Sequence, residues 1–250
     1  MDWSRAKTIL ILSFLLLNIT LGYELWSNQW MIGDKKASAD QAEELNKLMQ
    51  SRGIRLSVDI PKDVPKMKEI VVKWVEGNNF GRKVTLSEPL KYNRFISKGT
   101  LRDMNSNTIP HAEAYRYDPI SGLDGLYVMN QMHGDYPMFD VNLELYMTNG
   151  EISAYKQSFV EVESAPGDEK EEKKVIPAYT VLRTLSDKFL QNGAVIQDIR
   201  LGYHGQLYDS EKRLLVPTWR VAVEGGDVYY VNGFRGDVEN PQPINLGPAK

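Results

Sequence analysis

The feature that most constrains this chain is an almost uncharged run near its start, TILILSFLLLNITLGYELW over residues 8–26, in which Glu24 carries the one charge. A helix of about nineteen residues, rising 1.5 Å per residue, is roughly 28 Å long, close to the hydrocarbon thickness of a bilayer. Arg5 and Lys7 precede the run, and the positive-inside rule places that short end in the cytoplasm. Tyr23, Trp26 and Trp30 mark the far end, where amphipathic rings favour the headgroup level. The expectation is a cytoplasmic tail (residues 1–7), a single transmembrane helix (8–26), a juxtamembrane stalk (27–37) and an extracellular remainder. A cleaved signal peptide is the alternative, since residues 9–21 have the right apolar length and Ala37-Ser38-Ala39 looks like a cleavage site. That site lies beyond two tryptophans and the charged Asp34, Lys35 and Lys36, which favours an uncleaved anchor.

Within the apolar run, Ser13, Asn18, Thr20 and Gly22 break the aliphatic pattern. At 100° per residue, Ser13 and Thr20 share one helix face and Asn18 and Gly22 the opposite one. Small and polar residues in lipid gather where helices pack, and an amide deep in hydrocarbon is costly without a partner. These four are the expected partner-contact residues, while Arg5, Lys7, Trp26 and Trp30 are the interface anchors.

Beyond the anchor, Ser38 and Gln41 form a capping box ahead of Ala42, Leu45, Leu48 and Met49 at helical spacing, with Gly53 as the stop. Residues 54–60 alternate as a strand ended by Pro61, and residues 67–76 read as a buried strand. From residue 77 to 125 only short candidates appear, at 83–86 and 90–96, along with Tyr115, Tyr117 and Tyr127, whose rings are expected either to pack in the core or to form an aromatic surface that meets a partner. Phe139, Val141, Leu143, Leu145 and Met147 then alternate up to Asn149-Gly150, a type I′ hairpin pair, with a return strand from residue 152 to about 163. The run PGDEKEEKK over residues 166–174 reads as a solvated loop between two lobes, 38–164 and 165–250. In the second, Ala178, Val181, Leu182, Leu185 and Phe189 make one helical face. Strands follow at 195–203, 214–224 and 228–231, with Gly225-Gly226 turning the last hairpin. Pro217 lacks a donor and is expected at a sheet edge or a bulge. Helix, glycine, strand occurs twice, as SRGIRLSV and QNGAVIQDI. The fold class is therefore α+β, with antiparallel sheets in both lobes.

Chemistry is sparse. His111, His133 and His204 are isolated from other metal-ligand residues, and an isolated loop histidine is usually a surface residue. Nucleophile-elbow, zinc-helix and phosphate-loop motifs do not occur. Cysteine is absent, which removes thiol catalysis and disulfides, and a net charge of −3 without a basic stripe argues against nucleic acid. Glu161, Glu163, Asp237 and Glu239 fall near strand ends, where acids are normally solvated. No cofactor, metal or catalytic residue is expected.

The opening MDWSRAKTI, leading into one membrane helix, resembles the start of the YycI (WalI) family, whose members begin MDW-(S/T)-(K/R)-A-K-T-I. LVPTWRVAVEGGDVYYVNGFRGDVE, residues 214–239, resembles the end of that family's extracellular domain and the wider PepSY-like pattern. The resemblance implies a YycH/YycI-like fold and a non-enzymatic accessory protein of the WalK/WalR (YycG/YycF) two-component system, which controls cell-wall metabolism. It implies a YycH-like partner, a sensor histidine kinase contacted through residues 9–26, and a homo- or hetero-oligomer. An anchored PepSY-like binding or peptidase-inhibitor module at the cell surface is the alternative.

Overall fold

A computed structural model describes residues 3–27, 33–75, 81–91, 108–163, 171–205, 212–239 and 242–243. The chain divides into two units, residues 1–52 and 53–250. The first is helical. Helix α1 (Trp3–Ser27) contains the apolar run, and its side chains from residue 10 to 21 are exposed. Among the described residues no helix is long and apolar enough to cross a membrane. The fully described apolar stretch, residues 10–21, would span only roughly 18 Å. Helix α2 (Gly33–Arg52) starts before the expected cap, so Ser38 lies inside it rather than at its start. The expected stalk is helical from Gly33, Ser27 ends α1, and residues 28–32, with Trp30, lie outside the described residues.

The second unit is α+β, built on a large, mostly antiparallel sheet with twelve strands among the described residues. Its strands are β1 (Arg55–Leu56), β3 (Ile70–Trp74), β4 (Lys83–Lys91), β5 (Tyr115–Tyr117), β6 (Leu126–His133), β7 (Tyr136–Thr148), β8 (Glu151–Gln157), β9 (Val160–Glu163), β11 (Val195–His204), β12 (Lys212–Val223), β13 (Asp227–Asn232) and β14 (Gln242–Pro243). The central path runs β14-β13-β12-β11-β7-β6-β5, so segments on both sides of residue 165 share one sheet. A separate two-stranded ladder pairs β2 (Lys66–Met67) with β10 (Lys173–Lys174), so the charged run ends in a short strand. Helix α3 (Ala178–Lys188) buries Val181, Leu182 and Leu185, as its periodicity predicts.

Local chemistry explains most of these elements. Asn149 and Gly150 adopt the positive φ that a type I′ turn requires, and β7 and β8 pair as expected. The strand expected over residues 54–60 is reduced to β1, because its ladder with β11 covers only Arg55–Val195 and Leu56–Ile196. The two helix–glycine–strand repeats thus end side by side, with their strands parallel. Pro217 is not at a sheet edge, since β12 is flanked by β11 and β13. It lies one residue past the β13 ladder, where its carbonyl accepts from the Gly233 N–H at 2.7 Å. A strand residue's N and O point the same way, so the missing donor faces a turn and leaves no ladder bond unmade.

Tyr115 belongs to the core rather than to an aromatic surface. It packs with Ile109, Met129, Leu143, Leu145, Ile152 and Tyr155, and its hydroxyl donates to the Ser158 carbonyl. Gly202 admits the ring of Phe139 onto β11: a Cβ there would sit 2.4 Å from the Pro137 oxygen and 2.7 Å from the ring. Gly202→Ala is expected to destabilise the fold by about 1–3 kcal/mol through overpacking. Urea unfolding measures this, and Phe139→Leu in the same background should return part of the loss.

Candidate functional site

Strand alternation puts Asp198, Arg200, Gly202 and His204 on one face of β11. The register sets Arg200 against Arg220 of β12 and Arg220 against Tyr230 of β13. This polar face is buried: Arg220 is 2% exposed. Its guanidinium lies 4.7 Å from the Phe139 ring centroid and is held by two carboxylates. Nη1 and Nη2 donate to Asp118 at 2.5 and 2.8 Å, and Nη2 also reaches Asp198 at 3.0 Å. Asp118, wholly buried in the turn after β5, takes further bonds from Ser121 Oγ (2.6 Å), Asn130 Nδ2 (3.3 Å) and the Ile120 N–H (3.3 Å).

Burial alone would raise the Asp118 pKa. The bonds and charge of Arg220, with Ser121 and the Ile120 N–H, overcome that and bring it down to about 2. The Arg220 pKa is pushed down by burial but raised on balance by Asp118, Tyr230 and Asp198, so both partners stay charged.

Beside this pair, His204 stacks on Tyr230 at 4.0 Å between centroids. Its Nδ1 lies 2.8 Å from Asp140 and its Nε2 lies 3.2 Å from Glu239. The Asp140 contact is close yet poorly aligned, since Nδ1 lacks a well-formed hydrogen bond; charge attraction is the sounder description. Burial lowers the His204 pKa, but the two carboxylates outweigh it and the net shift is upward. His204 is therefore neither an isolated nor a surface residue, and Glu239 is engaged rather than merely solvated.

A cavity of about 420 Å³ lies beside β11, lined on that strand by Ile199, Arg200 and Leu201. Asn130, Trp219 and the one-third-exposed Arg200 line its inner part, with Pro61, Pro65 and Tyr136 among its walls. At the rim stand Asp63, Asp135, Arg116 and Tyr117. Tyr117, with its ring 5.8 Å from that of Tyr127, is the part of the expected aromatic surface that reaches the cavity.

The model of the YycI protein family matches residues 82–234, more than half of the chain. The chain belongs to the YycI family. The matched span holds Asp118, Asn130, Asp140, Asp198, Arg200, His204, Arg220 and Tyr230, whereas the MDWSRAKTI lead lies outside it. YycI is a family of regulatory accessory proteins in the WalK/WalR system. No curated protein matches the sequence. Among solved structures, the chain is similar to an uncharacterized protein from Eubacterium rectale ATCC 33656, at 11% identity and a TM-score of 0.41, covering 83% of this chain and 82% of that one.

The residues expected to meet a partner are on α1, in the helical unit, and the ionic cluster belongs to the other unit. Ser13, Asn18 and Thr20 have exposed side chains, and Arg5, Gly22 and Trp26 lie within the same helix. The Thr20 hydroxyl donates to the carbonyls of Leu16 and Leu17 at 3.1 and 2.9 Å. Sequence reasoning missed Asp118, Asp198, Arg200 and Arg220. The available signal was Arg220 itself, an arginine in an otherwise apolar strand, TWRVAV.

Arg220→Met should cost about 3–5 kcal/mol, because it takes from the buried Asp118 its closest cation and leaves only the looser Arg200 at 3.7 Å. Adding Asp118→Asn should return much of that loss in chemical denaturation. Asp118 has a lowered pKa, so its stabilisation is full above its ordinary 3.8 and is lost as pH falls through about 2. His204 has a raised pKa, so its contribution is full below 6.5 and is lost as pH rises through the folded value. Melting temperature measured against pH should therefore decline above about pH 6.5, and His204→Gln should flatten that decline.

Proposed function

We propose that the chain is a membrane-anchored, non-enzymatic regulator of the WalK (YycG) sensor histidine kinase, working beside a YycH-like protein outside the cell. The observation that carries this reading is membership of the YycI family. The anchor reading is supported by the uncharged run and its flanks. A helix as long as α1, at 25 residues, would span roughly 37 Å, enough to cross a bilayer with its ends at the two interfaces. Arg5 and Lys7 would hold the cytoplasmic end, and Trp26 and Trp30 the outer one.

Within that helix the polar residues differ. Thr20 satisfies its hydroxyl on its own backbone, so it asks nothing of a neighbour. Asn18 has an exposed amide among aliphatic side chains, and Gly22, one turn on, permits close backbone approach. Asn18 and Gly22 would meet the kinase's transmembrane helix, with Ser13 and Thr20 on the opposite face open to the YycH-like partner. A sensor's helices have discrete packings, and a lateral neighbour that binds one packing better shifts the population without chemistry.

The cavity favours a second reading, an anchored binding module at the cell surface. The two part on one experiment. Full-length protein purified in mild detergent should bring down the kinase, and Asn18→Leu with Gly22→Leu should lose most of it while circular dichroism of the folded domain stays unchanged. Undiminished kinase recovery by the double variant would overturn the helix contact. Recovery of other partners and no kinase by either form would favour the binding module.

A further inference from the structure

Strand β11 is paired along one side with β12 from Ile196 to His204. Its other side meets β1 only at Val195 and Ile196, and β7 only at Tyr203. Between those contacts, residues 199–201 have no strand partner on that side among the described residues, and all three line the cavity. The chain that leaves β1, carrying Pro61 and Pro65, forms part of the cavity wall instead of continuing the ladder. An extended backbone of two to four residues has the size for such a gap. At about 3.3 Å per residue three residues span roughly 10 Å, and unpaired strand edges accept added strands.

The charges in the cavity are ordered by depth. Arg200 is placed by Asp198 at 3.3 Å and Asp118 at 3.7 Å, both longer than the 2.7–2.9 Å usual for charge-assisted bonds. The closer bonds of those carboxylates go to Arg220, so the Arg200 guanidinium is oriented while most of its donors remain unspent among the described residues. Asn130, its amide given to Asp118, lies beside it. Asp63 and Asp135 stand at the rim against one cation, Arg116, whose nearest approach to Asp135 is a loose 3.9 Å. Inner donors facing an acidic rim suit a ligand with a carboxylate at one end and an ammonium at the other. Met132, Tyr136 and Leu201 supply apolar surface between.

We infer that this cavity is a binding site for a short unblocked peptide, laid as an added strand along residues 199–201 of β11. Its C-terminal carboxylate reaches Arg200 and its N-terminal ammonium meets Asp63 and Asp135. Such binding needs neither the kinase nor the membrane helix.

The test is calorimetric titration of the full chain in detergent micelles with Ala-Leu-Ala, its N-acetyl form and its C-terminal amide. Saturable binding of the free tripeptide is expected, with each blocked form at least ~10-fold weaker. Arg200→Gln should abolish the penalty for amidation, since Arg220 still neutralises the buried carboxylates and the fold persists. Asp135→Asn, a change at a side chain that is 91% exposed, should lessen the penalty for acetylation and serves if the arginine variant does not fold. No heat with the free tripeptide up to millimolar concentration overturns the site. Equal affinity for all three peptides overturns the end recognition, as does a folded Arg200→Gln that still discriminates against the amide.

Discussion

The ion pair between Arg220 and Asp118 is the interaction on which the sheet's polar face depends. Burying a lone carboxylate or guanidinium costs several kcal/mol, and pairing offsets that expense best when further hydrogen bonds satisfy the remaining groups. Here Asp118 takes bonds from Arg220, Ser121, Asn130 and the Ile120 amide, and Arg220 also reaches Asp198, while its Nε is buried without a hydrogen-bond partner among the described residues. The pair joins residues 102 apart in sequence, tying β12 to the turn beyond β5. With that charge balanced, Phe139 can close over the guanidinium and Gly202 can let its ring in. Arg200 is held in place as a by-product. A single buried pair thus organises the packing between the sheet's two halves and the inner wall of the cavity.

The parts of the fold legible in the sequence were those set by local rules. The hairpin at Asn149-Gly150 follows from the need for positive φ, and α3 from an apolar stripe at helical spacing. The ionic face was illegible for a definite reason. Alternating strands place polar residues on a face that is normally wet, and Asp198, Arg200 and Arg220 fit that pattern as well buried as exposed. Arg220 is covered by the Phe139 ring and the Asp118 carboxylate, both distant in sequence, and nothing local announces them. His204 and Glu239 were missed in the same way, because 35 residues separate the ring from its carboxylate. The strand expected through Ile60 failed for the opposite reason: its alternation is good, but it has a ladder partner for two residues only.

Family membership and the construction of the α+β unit bear on different stages of the proposed task. On the proposed reading, the polar residues on α1 would hand a state to a neighbouring helix, while the cavity and its charged lining would concern what sets that state. A regulator that acts by population shift must bind one form of its partner better than another, and on the proposed reading both α1 and the cavity have groups suited to such discrimination.

The gap beside β11 has a further consequence, for the protein's solubility. An open strand edge is a template on which another copy can extend its own sheet, and proteins commonly shield such edges. Here the opening is closed at one end by β1 and at the other by the Tyr203–Met138 bridge, and Pro61, Pro65 and Pro137 stand in its wall. A full-length strand from a second molecule cannot lie in a slot stopped at both ends, and prolines offer no N–H to draw it in. The backbone is left available, but only to chains short enough to fit, so the edge is screened by length against self-association.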